Sequence, residues 1–297
     1  MTRPAPMTRP APLTLLQLAM TLALGLVTAL GIAQRGIADE PVRIVSAGGS
    51  ITEIVYALGQ QDRLVARDTT SNHPAQALEL PNVGYVRRLS PEGLLSVNPD
   101  LILAEEGAGP PETFEVLEGS GLPIITIPMG FDLPAVQEKI TAVAAALDVP
   151  EAGAALVAQV TEEVEGAQKA AGLHNQRILF VLSMQGGRIM AAGRNTAADG
   201  IITMAGAQNA IDGFEGYKLI TDEAVITAAP DVILMMQSHR PGAITADDLL
   251  SHPALSTTPA GRDQAVLQMD GMLMLGFSVR TGQAVTELAN ALATAGH

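Results

Sequence analysis

No cysteine occurs in the 297 residues. That one absence excludes disulfides, cysteine-bound zinc, iron–sulfur clusters, a thiolate nucleophile and a lipid-modified N-terminal cysteine. Tryptophan is missing too, and aromatic residues make up only 3 % of the chain. Charged residues are scarce at 16 %, and cations are the scarcer sign: 17 Lys and Arg stand against 31 Asp and Glu, for a formal net charge of −14. Such a surface repels phosphate backbones, so no nucleic acid is expected as a partner. The five histidines, His73, His174, His239, His252 and His297, show no close pairing of the kind a zinc site uses. There is no Gly-x-Ser-x-Gly elbow, no Gly-Lys-Ser/Thr phosphate loop and no paired-carboxylate constellation. Gly48-Gly49, with no lysine behind it, reads as a plain turn. An enzyme is therefore not expected, and no residue is assigned a catalytic role.

What is present is apolar. Hydrophobic residues make up 47 %, enough for two well-filled cores, and twelve methionines take some of the space aromatics usually fill. Met235-Met236 and the stretch from Met269 to Met274 read as core or cleft wall. Near the start, Arg3 and Arg9 precede an apolar run from about Leu13 to Ala33, followed by the small residues Gly36-Ile37-Ala38. This pattern predicts a cleavable export signal over residues 1–38 and a periplasmic location; a permanent anchor is the alternative, because the run approaches the ~20 residues that span a bilayer. Cleavage removes three arginines and no acid, so the net charge moves from −14 to −17.

From Val42 onward short β-like runs alternate with helical patterns, as in βαβ units. Arg43-Ile44-Val45-Ser46 reads as a strand, and Ser50 with Glu53 as a capping box opening a helix over Ile51–Leu58. Asp100–Leu103 and Pro123–Ile127 are further strands. Between residues 133 and 171 apolar residues recur at helical spacing, and Pro150 divides the segment into two helices. The second would extend roughly 30 Å at about 1.5 Å per residue.

The chain also repeats itself. Residues 89–103 (LSPEGLLSVNPDLIL) align with residues 220–234 (ITDEAVITAAPDVIL), with Glu92/Glu223, Pro99/Pro230 and Asp100/Asp231 coinciding. Just upstream, Gly84-Tyr85 echoes Gly216-Tyr217, and Ile51–Gly59 echoes Gly200–Gly206. The expected fold class is α/β: two similar lobes, each a mostly parallel sheet flanked by helices, joined by one long rigid helix. The expected domains are a lobe over residues 39–149, a connecting helix over 150–172 and a lobe over 173–297. A cleft is expected between the lobes, at the carboxyl ends of the strands.

These stretches, with Gly84–Gly93, Ala191–Thr196 and Gly276–Gly282, resemble the helical-spine class of periplasmic binding proteins that serve ABC importers of cobalamin, siderophores and haem, and within it the haem-binding subgroup. The resemblance covers nearly all of the chain beyond the signal. It implies a monomer that carries haem b as cargo, with Tyr85 as axial ligand to the iron. A tyrosine must bind ferric iron as phenolate, and a cation nearby would favour ionisation. Arg87, two residues away on what reads as an extended loop, would share a side with Tyr85. Arg87, Arg88, Lys218 and Arg280 are candidate partners of the haem propionates, with Arg188, Arg194 and Arg240 behind them. Tyr217 would cover the far haem face or bond a propionate. Some relatives hold two stacked haems with a histidine near residues 183–187; Gln185 stands there in this chain, which favours one haem. Glu92 and Glu223 are implied to dock on arginines of a two-fold permease in the inner membrane, although each also suits its helix N-terminus without any partner. The same fold carrying cobalamin or a ferric siderophore, with Tyr85 an ordinary cleft residue, is the alternative. A haem enzyme with a tyrosine ligand is a second.

Overall fold

The computed structural model describes residues 42–238 and 243–295. The segment read as an export signal, together with His239, Arg240 and His297, lies outside the described residues. The first lobe opens with β1 (Ile44–Ala47), α1 (Gly49–Ala57) and β2 (Leu64–Arg67). A small hairpin of β3 (Gly84–Tyr85) and β4 (Arg88–Leu89) follows, then α2 (Pro91–Leu95), β5 (Leu101–Glu105), α3 (Pro111–Gly119) and β6 (Ile124–Ile127). The main sheet has the order β2-β1-β5-β6, and every pairing in it is parallel. Two helices come next, α4 (Leu133–Ala146) and α5 (Pro150–Ala171), each begun by a proline in its first turn, where the missing N–H costs nothing.

The second lobe comprises β7 (Arg177–Gln185), β8 (Arg188–Ala192), α6 (Ala197–Met204), β9 (Gln208–Asn209), β10 (Tyr217–Leu219), α7 (Asp222–Ala228), β11 (Val232–Met236), α8 (Ala246–Leu250), α9 (Pro259–Arg262), β12 (Val266–Met269), α10 (Gly271–Leu275) and α11 (Thr281–Ala295). Its strands run β10-β8-β7-β11-β12, with β9 also paired to β7. Among the described strands of this sheet, the pairings made by β8 are antiparallel and the rest are parallel. The reversal arises because Gly186 and Gly187 both take positive φ, 57° and 79°, and close a two-residue turn that folds the chain back on β7. Without β8 and β10, the order β9-β7-β11-β12 repeats the β2-β1-β5-β6 of the first lobe.

The duplication extends to single bonds. The Arg43 and Arg177 backbone N–H groups each donate to the carboxylate of the repeat aspartate, Asp100 and Asp231, both at 2.8 Å. Ser90 caps α2 through the Gly93 N–H at 3.1 Å, and Thr221 caps α7 through the Ala224 N–H at 3.2 Å. Asn98 and Ala229, at matching places before the two prolines, both adopt left-handed backbone, with φ of 47° and 42°.

Strand side chains alternate between two layers. In β5, Leu101 and Leu103 face one cluster and Ile102 and Ala104 another; in β7, Ile178 and Phe180 part from Leu179 and Val181 in the same way. The inner faces of both sheets, with α1, α4, α5, α6 and α11 between them, bury a single continuous apolar cluster running from Ile44 to Leu292. Each outer face has its own smaller cluster. Met235, Met269 and Met274 are core residues. Among the described residues, no helix is long and apolar enough to cross a membrane.

Candidate functional site

The β3–β4 hairpin sits beyond the carboxyl ends of the first sheet, held there by the loops leaving β2 and β5. Thr69 N–H donates to the Gly84 carbonyl at 2.7 Å. Gly109 clasps the hairpin from both sides: its N–H donates to the Val86 carbonyl at 2.9 Å, and its carbonyl accepts from Leu89 N–H at 2.8 Å. Val86 and Leu89 are buried, and Tyr85 is left 45 % exposed. This hairpin corrects the extended-loop reading of residues 85–87. Val86 and Arg87 form the turn, so alternation does not put Tyr85 and Arg87 on one side. Tyr85 stands opposite Arg88 in the ladder, and directly opposed residues project to the same face. Exposed Arg88 is therefore the cation beside the phenol, while Arg87 folds back and donates to the Gly107 carbonyl.

In the second lobe, β7 continues past its last pairing with β11, Met235 opposite Val181, and returns as β8. Tyr217 opens β10 opposite Ala192, the last residue of β8, where that strand has returned alongside Val181 of β7. It is 36 % exposed, with its ring edge-to-face against Phe180 at 6.4 Å between centroids. The hydroxyl is turned inward, within hydrogen-bonding reach of the Ala198 N–H and the Thr196 side chain at the start of α6. Burial pushes its pKa up, which disfavours a phenolate. Lys218 is exposed, its Nζ 5.2 Å from the centre of the Phe214 ring.

Arg280, another candidate from the sequence, is paired within the protein. Its guanidinium forks onto the carboxylate of Glu53, with Nε 3.0 Å from Oε2 and Nη2 bonded to Oε1. Glu53 is 3 % exposed and also accepts from the Ser278 hydroxyl. The capping box assigned to Ser50 and Glu53 is likewise corrected. The helix begins at Gly49, with Gly48 as its N-cap and no side-chain cap. Its first N–H groups are met across space: Gly48 donates to Asp68 at 3.2 Å and Gly49 to the Thr70 hydroxyl at 2.9 Å.

Residues that the sequence reading missed cluster at this point. Lys139 on α4 is 1 % exposed and donates to Ser50 Oγ (3.3 Å) and to the carbonyls of Gly276 (3.3 Å) and Phe277 (3.1 Å). Burial lowers its pKa, against the pull of Glu105 and Glu53. Glu105, at the carboxyl end of β5, has its pKa raised by burial, against Lys139 and Arg87. A signal existed for Lys139: it lies three residues after Val136 and four before Val143, inside the apolar stripe.

Glu92 and Glu223 are exposed at the second position of α2 and of α7. Arg188 is exposed on β8, and Arg194 lies 4.0 Å from Glu215 in a solvated pair. Gln185 is exposed at the tip of the β7–β8 hairpin. His252 is buried, its Nε2 bonded to the Gly187 carbonyl at 2.7 Å. Among the described residues no group of three His, Asp or Glu could hold a metal ion.

The family model for periplasmic binding proteins matches residues 44–272, from the first strand to the tip of α10. The chain belongs to that family. Two solved structures share its architecture closely. The periplasmic heme-binding protein BhuT, in complex with two hemes, is 41 % identical, covers 85 % of this chain and 98 % of its own, and superposes with a TM-score of 0.80. The periplasmic heme-binding protein RhuT from Roseiflexus sp. RS-1, in apo form, is 40 % identical over 87 % of this chain and all of its own, with a TM-score of 0.82. A vitamin B12-binding protein of Vibrio campbellii is 28 % identical over 192 residues, 64 % of this chain and 69 % of its own. Members of this family are binding proteins, and the two-lobed α/β fold expected from the repeats is the fold found.

Proposed function

We propose that the protein captures haem in the periplasm and delivers it to an ABC permease in the inner membrane, with Tyr85 as axial ligand to the ferric iron. The observation that carries the reading is the β3–β4 hairpin. It holds an exposed phenol at the carboxyl edge of a parallel sheet with the Arg88 side chain beside it. A tyrosine oxygen is a ligand type that ferric haem iron accepts, and the Arg88 guanidinium on the same face offers a cation beside it. The 41 % and 40 % identity to two heme-binding proteins supports the same cargo. Arg88, Arg87 and Lys218 supply cations for the propionates, Arg87 after leaving the Gly107 carbonyl. Tyr217 lends its ring to the opposite wall. Glu92 and Glu223, one per lobe at equivalent helix starts, present two equal carboxylates to a two-fold partner.

Cobalamin is the second reading, favoured by the B12-binding relative. Titration of the purified protein with hemin separates the two. A Soret band with ferric–phenolate charge-transfer bands, saturating at one hemin per chain, is the expected result. Tyr85→Phe should remove those bands and raise the dissociation constant by about tenfold or more, equivalent to roughly 1.4 kcal/mol. Binding of cyanocobalamin without hemin binding would overturn the assignment.

A further inference from the structure

Four side chains tie the two lobes together at one buried spot. From the first lobe come Glu53 on α1 and Lys139 on α4; from the second come Ser278 and Arg280, on the segment that joins α10 to α11. Both oxygens of the Glu53 carboxylate are used, by Arg280 and by Ser278, across more than 220 residues of sequence. Lys139 grips the same segment one step earlier, through the carbonyls of Gly276 and Phe277. Between these grips Phe277 is held at φ 48°, a conformation that a bulky aromatic residue avoids. Its ring meets Phe131, on the loop into α4, edge-on at 5.6 Å. A second close approach backs this contact: a side chain at Gly200 on α6 would stand 2.8 Å from Phe131 Cβ and 2.9 Å from the Phe277 ring.

Stability alone does not explain this arrangement. The surroundings are apolar and continuous between the lobes. A buried ion pair in such a place usually costs as much in desolvation as it returns, and apolar residues of equal volume serve stability as well or better. What charged, directional bonds add is a single geometry. We infer that Glu53, Arg280, Ser278 and Lys139 form an inter-lobe lock that fixes the separation of the lobes before cargo arrives, and that they are positioning residues for the cleft. A flat ligand of constant thickness binds best between walls already set at its width, since no closing motion has to be driven by binding. That last step rests on the haem reading; the lock itself does not.

A chain without cysteine lends itself to the test. Val116→Cys and Ile226→Cys place one exposed label on each lobe, and pulsed dipolar spectroscopy on the cargo-free protein reads the distance between them. Changing Glu53→Leu together with Arg280→Met removes both charges, so neither is left buried and unpaired. Lys139→Met breaks the second grip without introducing a charge. Each change should broaden and shift the distance distribution relative to the parent, at a melting temperature within a few degrees of it. Arg280→Lys, which keeps the charge and loses the fork, should fall between. In the loaded protein the hemin dissociation rate should rise about tenfold while the ferric–phenolate bands stay as they were. Distributions that superimpose on the parent in both the Glu53→Leu/Arg280→Met and the Lys139→Met proteins would overturn the lock. A parent that binds no hemin would overturn the haem reading, and the distance measurement would still judge the lock.

Discussion

Glu105 is where charge, burial and the proposed site meet in one residue. It ends β5 under the hairpin, close enough to Arg87 and Lys139 to be pulled down by both, and burial still pushes its pKa above the ordinary carboxylate value. An acid whose folded pKa is raised binds more protons folded than unfolded between those two values. Its stabilising contribution is therefore complete below about pH 4.5 and is lost as pH climbs through the raised value. Urea midpoints for the parent and for Glu105→Gln, measured across this range, should separate progressively as pH rises, with the parent losing ground, and then run parallel. Parallel behaviour throughout would mean that Glu105 ionises as freely folded as unfolded. Lys139 works in the opposite sense: its depressed folded pKa makes stability rise with pH between that lowered value and 10.5.

Elements show how much of this molecule could be read in advance. The matched segments 89–103 and 220–234 became the same structure to the level of caps, carboxylate bonds and left-handed residues. That match yields a prediction. Asn98 and Ala229 occupy the same backbone conformation, but asparagine tolerates it and alanine does not. Ala229→Gly should stabilise the protein by about 1 kcal/mol and Asn98→Gly by far less, read as shifts in denaturant midpoint. Equal shifts would mean that the two turns are not equivalent. What stayed illegible was whatever depends on partners distant in sequence. Ser50 and Glu53 have the spacing of a capping box, and nothing local reveals that Arg280 competes for the glutamate more than 220 residues later. Tyr85 and Arg87 have the spacing of neighbours on a strand. The turn at Val86-Arg87 carries no glycine, proline or asparagine to announce it, and Arg88 took the place given to Arg87. Local rules found the pieces and their duplication; the lobe junction required both halves together.

At the scale of the whole molecule, one net charge acts on two separate steps. The chain carries −14, and hemin brings two propionates of the same sign. The cations near the hairpin and Lys218 attract at short range, but at ~0.01 M salt the screening length is about 30 Å, so an approaching anion meets the field of the entire protein first. Raising salt to ~0.1 M shortens that reach to about 10 Å, which screens the distant acids while leaving Arg88 close to the incoming ligand. Hemin association should therefore accelerate as salt is added, measured by stopped-flow absorbance over this range. Docking depends on charge with the opposite sign. If Glu92 and Glu223 meet arginines, affinity for permease in proteoliposomes should fall over the same salt range. Glu92→Gln with Glu223→Gln should weaken docking, flatten its salt dependence and leave the hemin rates nearly unchanged, because two charges are a small part of the whole field. Hemin association that slows with salt would show that the local cations govern capture from afar. A docking affinity that ignores both salt and the paired substitution would take the two glutamates out of the interface.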